Sequence, residues 1–152
     1  MFKIGGKIEH NRVDGNLRLL KEDLDFFTKI GLDAVEIPPH GLDVIINGKI
    51  NKRQLSEVKK ILLDYDFFYS VHSPDPTNLM DIDNYELHVS VLRSSLEFAL
   101  DIGANVVVYH AGRFIPEEKF FLNIPFYLSE IERNKLMEIE ALSIALLSEE
   151  YP

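Results

Sequence analysis

Two hydrophobic rhythms alternate along the chain. Short apolar runs that end in glycine, proline or histidine separate longer stretches whose apolar residues recur every three or four positions. The first rhythm predicts buried strands and the second amphipathic helices. FKIGG (2–6) is a short strand closed by glycines, DAVEI (33–37) a strand ended by Pro38 and Pro39, FFYSVH (67–72) a strand broken by SPDP, and NVVVYH (105–110) a fourth. NLRLLKEDLDFFTKIG (16–31) sets Leu17, Leu20, Leu24 and Phe27 on one helical face, with Gly31 placed to stop it. NKRQLSEVKKILLDY (51–65) does the same with Leu55, Val58 and Leu62. In NYELHVSVLRSSLEFALDIG (84–103) the stripe is Leu92, Leu96 and Ala99, with Gly103 behind it. A last helix is predicted over about 127–149, with Ile139, Leu142 and Leu146 as its inner face.

The order β-α-β-α-β-α-β-α predicts a parallel sheet covered by helices. A weak internal repeat supports it: KIGLDAVEI (29–37) and DIGANVVVY (101–109) share Ile-Gly-x-(Asp/Asn)-x-Val. Strand starts near 2, 33, 67 and 105 set a unit of about 35 residues, and eight such units fill the roughly 250 residues of a closed (β/α)8 barrel. Residues 1–152 therefore read as one partial domain, the first four units of such a TIM barrel. The competing fold is an open four-stranded doubly wound parallel sheet.

Four of the five histidines stand after strands: His10 follows the first, His40 the second, and His72 and His110 end the third and fourth. Only His88 falls inside a helix, where a surface position is expected. Ligand sites of parallel α/β folds lie at the carboxyl ends of strands, so these imidazoles are predicted to converge. Alternation puts His72 inward with Ser70 and Phe68, His110 inward with Val108 and Val106, and turns Val71 and Tyr109 toward the helices. Glu36, near the end of the second strand, is a carboxylate that must be paired, hydrated or used if it points inward. Imidazoles with a nearby carboxylate suit a divalent metal, zinc or manganese, with His72 and His110 as candidate ligands. His10 and His40 are candidates for substrate contact. A histidine at a strand end is also a common hydrogen-bonded structural residue, and that reading stands beside the metal one.

Composition narrows the classes without choosing among them. A hydrophobic share of 46% and a charged share of 27% are ordinary for a soluble domain. No apolar run approaches the roughly 20 residues that cross a bilayer, and the N-terminus has no signal-peptide core, so no membrane partner and a cytoplasmic location are the default expectations. Cysteine is absent, which excludes disulfides, thiolate metal sites and a cysteine nucleophile. A net charge of −9 argues against non-specific nucleic-acid binding. Glycine-rich phosphate loops and nucleophile elbows are missing. INGKINKR (46–53) is a basic loop that could steer an anionic substrate.

In their order and spacing, GLDAVEIPP, FFYSVHSPDPTNL and GANVVVYHAG resemble the xylose-isomerase-like TIM-barrel superfamily, across about residues 2–150. That group holds sugar and sugar-phosphate isomerases and epimerases together with endonuclease IV-type enzymes that cut DNA at abasic sites. By this resemblance His72 and His110 match two zinc ligands of the nuclease branch, and Asn78 falls where that branch carries an asparagine and is a further candidate for substrate contact. Glu36 matches the acidic residue of the second strand in the isomerases. Asp75 stands where the nuclease has an aromatic residue used against DNA, and a carboxylate there repels phosphates. His-Ala-Gly replaces His-Pro-Gly after the fourth strand. Further ligands are implied on strands five to eight, the first a glutamate beyond Pro152.

The expectation is thus part of a metal-dependent isomerase or epimerase acting on a sugar or sugar phosphate. Glu36 is its candidate catalytic group, and little or no activity is expected from this chain alone. Tight stoichiometric zinc or manganese binding would count against that expectation. Two alternatives remain open: an endonuclease IV-type repair enzyme, and a non-catalytic half-barrel that assembles as a homo-oligomer or with a second half-barrel.

Overall fold

Strands and amphipathic helices alternate through the computed structural model, which describes residues 3–115, 119 and 121–151. Strand β1 (Gly5–Lys7) leads through a helical turn α1 (His10–Val13) to helix α2 (Leu17–Lys29) and strand β2 (Ala34–Ile37). A 3-10 turn (His40–Leu42) and a hairpin, β3 (Ile45–Ile46) with β4 (Lys49–Ile50), precede helix α3 (Lys52–Leu62). Strand β5 (Phe68–His72), helix α4 (Tyr85–Ile102), strand β6 (Val107–Val108) and helix α5 (Glu130–Glu150) complete the order. The first predicted strand begins at Phe2, which lies outside the described residues; its pairing is observed over Gly5–Lys7.

Helix boundaries follow local chemistry. Asn16 Oδ1 accepts from the Arg18 amide at 3.0 Å, and Asn51 Oδ1 accepts from the Gln54 amide at 3.4 Å. Ser129 and Glu132 form a reciprocal capping box at the start of α5. Gly103 ends α4 in the left-handed region at φ 71°, where a side chain would be strained.

The fold is mixed α/β, with a four-stranded parallel sheet in the order β1-β2-β5-β6. Sequential strands are thus neighbours throughout, as they are in successive units of a (β/α)8 barrel. The basic INGKINKR segment folds as the β3–β4 hairpin, and its Gly48 carbonyl accepts hydrogen bonds from Ser90 Oγ (2.6 Å) and Ser94 Oγ (2.9 Å) of α4.

Register decides which side chains share a face. Ala34, Glu36 and Ile37 align with Phe68, Ser70 and Val71, and His72 aligns with Val108. Val35, Ile37 and Val71 point into the helical layer, where they pack with Leu20, Leu24, Val58, Leu62 and Phe98. Tyr109 and Val107 pack with Leu79, Leu92 and Leu147 in a second cluster. The opposite face is uncovered: Phe68 is 61% exposed and Val106 56%. Glu36, Ser70 and His72 stand on that open face, as alternation requires.

Helix α5 departs from the expected inner face. Leu142 and Leu146 are 58% and 66% exposed, and Ile139 is only half-buried, while Leu136, Glu140, Ser143 and Leu147 are buried. The stripe is rotated because polar partners wait beneath the helix. Glu140 Oε1 accepts from the Tyr109 hydroxyl at 2.8 Å and from the Gly112 amide, and Tyr109 in turn accepts from the Leu79 amide at 3.1 Å. Ser143 Oγ lies 2.6 Å from the Tyr85 hydroxyl. A buried carboxylate with two donors is satisfied, and that outweighs turning two leucines inward. Removing the carboxylate strands the Tyr109 and Gly112 donors. Glu140→Ala is expected to cost about 2 kcal/mol in urea unfolding and Glu140→Gln less than half of that, since the amide oxygen still accepts.

Candidate metal centre

The mouth of the sheet is built at the carboxyl ends of its strands. His72, the last residue of β5, is buried, with 6% of its side chain exposed. Its Nδ1 lies 2.9 Å from the Ser73 carbonyl oxygen. A carbonyl only accepts, so Nδ1 carries the proton and Nε2 presents its lone pair. That Nε2 is 4.0 Å from Glu36 Oε1 on the neighbouring strand. A ring held by a backbone carbonyl through one nitrogen, with the other free, is how a metal-binding histidine is usually oriented.

After β5 the chain folds into a turn closed by the Thr77 amide donating to the Pro74 carbonyl at 2.9 Å. The turn aims Asp75 back at the strand ends. Asp75 Oδ1 lies 3.6 Å from His72 Nδ1 and 3.7 Å from His110 Nδ1. The two imidazole rings are 4.9 Å apart, edge to face at 81°. His72, Asp75 and His110 each offer a ligand atom, and these atoms all lie within 4.8 Å of one another. Imidazole and carboxylate donors at this spacing could hold a metal ion. The set is half open to solvent, because His110 is 55% exposed and Asp75 48%.

His110 lies beyond the two-residue β6, and its position depends on the loop behind it. Asn78, buried after the Asp75 turn, accepts from the Arg113 amide at 2.9 Å and from the Met80 amide at 3.1 Å, and its Nδ2 donates to the Arg113 carbonyl at 3.0 Å. Its carboxamide is thus engaged by backbone and clamps the β6 loop to the β5 loop. A Cβ on Gly112 would sit 2.7 Å from Asn78 Oδ1 and 2.8 Å from Glu140 Oε1, so only glycine allows this approach. The glycine of VVVYHAG is therefore a packing requirement.

His10 and His40 meet on the other side of the mouth, with ring centroids 5.0 Å apart. Gly41 lets their segments touch, since a Cβ there would fall 2.5 Å from His10 Cβ. The Nδ1 atoms of both rings are buried without a hydrogen-bond partner; Glu9 Oε1 is 3.3 Å from His10 Nδ1 but outside bonding geometry. Burial, reinforced by the neighbouring charges of His10, His72 and Lys7 against the opposing pull of Asp75, pushes His40 down to about 4. His88 is not a surface residue: its side chain is 13% exposed. The Asn78 amide donates to its Nδ1 at 3.2 Å, and its Nε2 is 3.4 Å from Asp81 Oδ2, because the loop before α4 folds over the first turn of that helix.

Two residues of the mouth escape a reading of strand ends alone. Asp75 is legible only as His-x-x-Asp between two prolines, a turn that returns the carboxylate to its own histidine. Lys7, aligned with Glu36 in the register of β1 on β2, has no signal beyond its place at a strand end.

The depressed His40 gives a signed pH dependence. The unfolded chain takes up a proton near the ordinary value of 6.5, whereas the folded chain resists until about 4, so stability falls as pH drops through that window and is unaffected above it. His40→Gln should flatten this acid limb in urea unfolding measured across the same range. An unchanged pH profile in the variant would refute the assignment.

No family model and no curated protein matches the chain.

Proposed function

We propose that this chain forms part of the mouth of a metal-dependent isomerase or epimerase acting on a sugar or sugar phosphate. The observation that supports the reading is the donor set: two imidazoles and a carboxylate within 4.8 Å, one imidazole buried and held by a backbone carbonyl. Three protein donors, rather than the two histidines counted from the strand ends, are enough to hold a divalent ion with water or substrate completing the shell.

A bound ion supplies Lewis-acid polarisation of a substrate carbonyl. The protein's own groups divide the rest of the task. His72 offers Nε2 from a fixed ring, Asp75 adds charge between the two imidazoles, and His110 closes the set from the solvent side. Glu36 Oε1, 4.0 Å from His72 Nε2, is the carboxylate placed to take a proton from the carbon beside that carbonyl. The carboxyl-end part of the uncovered face, beside Glu36, Ser70 and His72, is where the remaining wall of the site is proposed to stand, supplied by a second half-barrel or a second copy. Endonuclease action fits less well, since Asp75 places a carboxylate at the mouth of a chain whose net charge is already −9.

With Asp75 as a third donor, the expectation from the strand ends that the isolated chain binds no ion tightly is reversed, and calorimetric titration with zinc and with manganese should give one ion per chain. His72→Ala and Asp75→Asn should each weaken binding by at least about tenfold, comparable to the loss of a metal-orienting group. A chain that takes up neither ion stoichiometrically, or variants that bind as well as the parent, would end this reading.

A further inference from the structure

Lys7 closes β1 on the uncovered face, aligned with Glu36. It is exposed, and among the described residues it forms no ion pair within 4.0 Å. The carboxylates of the mouth are committed elsewhere. Glu36 lies toward His72 Nε2, Asp75 lies between His72 and His110, and Glu9 Oε1 accepts from the Asn11 amide at 3.3 Å while lying 3.3 Å from His10 Nδ1. With a divalent cation held by His72, Asp75 and His110, the charges of Glu36 and Asp75 are offset and that of Lys7 is not. His10 and His40 stand on the same side, their rings 5.0 Å apart, and the buried Nδ1 of each forms no hydrogen bond among the described residues. Lys7 is in register with Glu36, whose Oε1 is 4.0 Å from His72 Nε2, and His10 and His40 follow the ends of the same two strands, so the two groups share one mouth.

We infer that Lys7, His10 and His40 form an oxyanion subsite beside the metal group, and that the substrate carries a phosphate ester or a carboxylate. The inference rests on reading the mouth as a metal-dependent sugar site and narrows its substrate to an anionic one. Lys7 supplies the charge as a mobile ammonium with three donors. The imidazoles supply oriented N–H groups without needing to be protonated, because a neutral ring still donates from one nitrogen. A substrate with its carbonyl end at the ion and its anionic end at Lys7 would be held at two points, which fixes orientation as one contact cannot.

The test is a titration of the full chain, loaded with one equivalent of zinc, with inorganic phosphate and separately with acetate, followed through the histidine ring resonances. A saturable shift of the His10 and His40 rings is expected. It should be weakened at least about tenfold by Lys7→Met, in line with loss of one charge-assisted contact, and largely restored in Lys7→Arg, with zinc affinity unchanged in both. A response to phosphate alone identifies a phosphate ester and a response to acetate alone a carboxylate; either supports the subsite, as does a response to both. The inference is overturned if neither anion shifts those rings, if only the His72 and His110 rings respond, or if Lys7→Met binds as the parent does. Failure of parent and variants alike to take up zinc would fell the metal reading instead, and the same titration without zinc then decides the subsite by itself.

Discussion

Side chains alternate across a strand, and in this sheet helices cover only one of the two faces. Every functional placement depends on that asymmetry. Val35, Ile37 and Val71 go to the helical side at 0–1% exposure, which forces Glu36, Ser70 and His72 to the open side. A slip of one residue between β2 and β5 would exchange the two sets, burying a carboxylate beneath the helices and exposing the apolar core. Burying a Val or Ile side chain is worth about 1.5–3 kcal/mol, so three such residues hold the register far more firmly than any polar contact at the mouth. The site is oriented by residues that take no part in its chemistry.

The mouth has a second support, made of polar groups rather than apolar ones. Glu140, reaching in from α5, joins the Tyr109 hydroxyl and the Gly112 amide, while Asn78 joins the Arg113 and Met80 backbones. Glu140 and Asn78 are buried and each finds partners, the condition under which a buried polar network rigidifies rather than destabilises. Burial also pushes the Tyr109 hydroxyl up, away from ionisation, so it remains a donor to Glu140 at any ordinary pH.

Much of this was legible in the sequence, for an identifiable reason. Strand and helix follow from periodicity, and Leu20, Leu24, Val58, Leu62, Leu92 and Ala99 fall on the faces that their spacing predicts. His72 and His110 share one end of the sheet because His72 ends β5 and His110 follows β6, although the fourth strand is Val107–Val108 rather than the expected 105–110 and stops two residues short of His110. Two kinds of information were not available. Periodicity treats a buried Glu140 as surface and an exposed Leu146 as core, because hydropathy has no term for a carboxylate that meets two donors. The second kind concerns turns. Asp75 returns to its own histidine, and His88 is drawn under a loop, through backbone geometry that residue type does not specify. Strand ends can be read from one chain; what a turn brings back to them is a tertiary fact.

The unequal burial of the two metal-group imidazoles follows from how each is carried. His72 ends a five-residue strand paired on both sides, and its ring is held by the Ser73 carbonyl. His110 follows a strand of two residues whose ladder to β5 ends with the Ser73 amide donating to the Val108 carbonyl at 2.9 Å. Past that bond no sheet pairing fixes the chain. What positions His110 is Tyr109 before it, anchored by burial and by Glu140, and Gly112 and Arg113 after it, clamped by Glu140 and Asn78. One imidazole is therefore set by the sheet and the other by a network that runs back to α5. The spacing of the two rings at 4.9 Å is thus a property of the helix as much as of the strands. A change at Glu140 or Gly112, neither of which belongs to the His72, Asp75 and His110 cluster, would act on that spacing through His110.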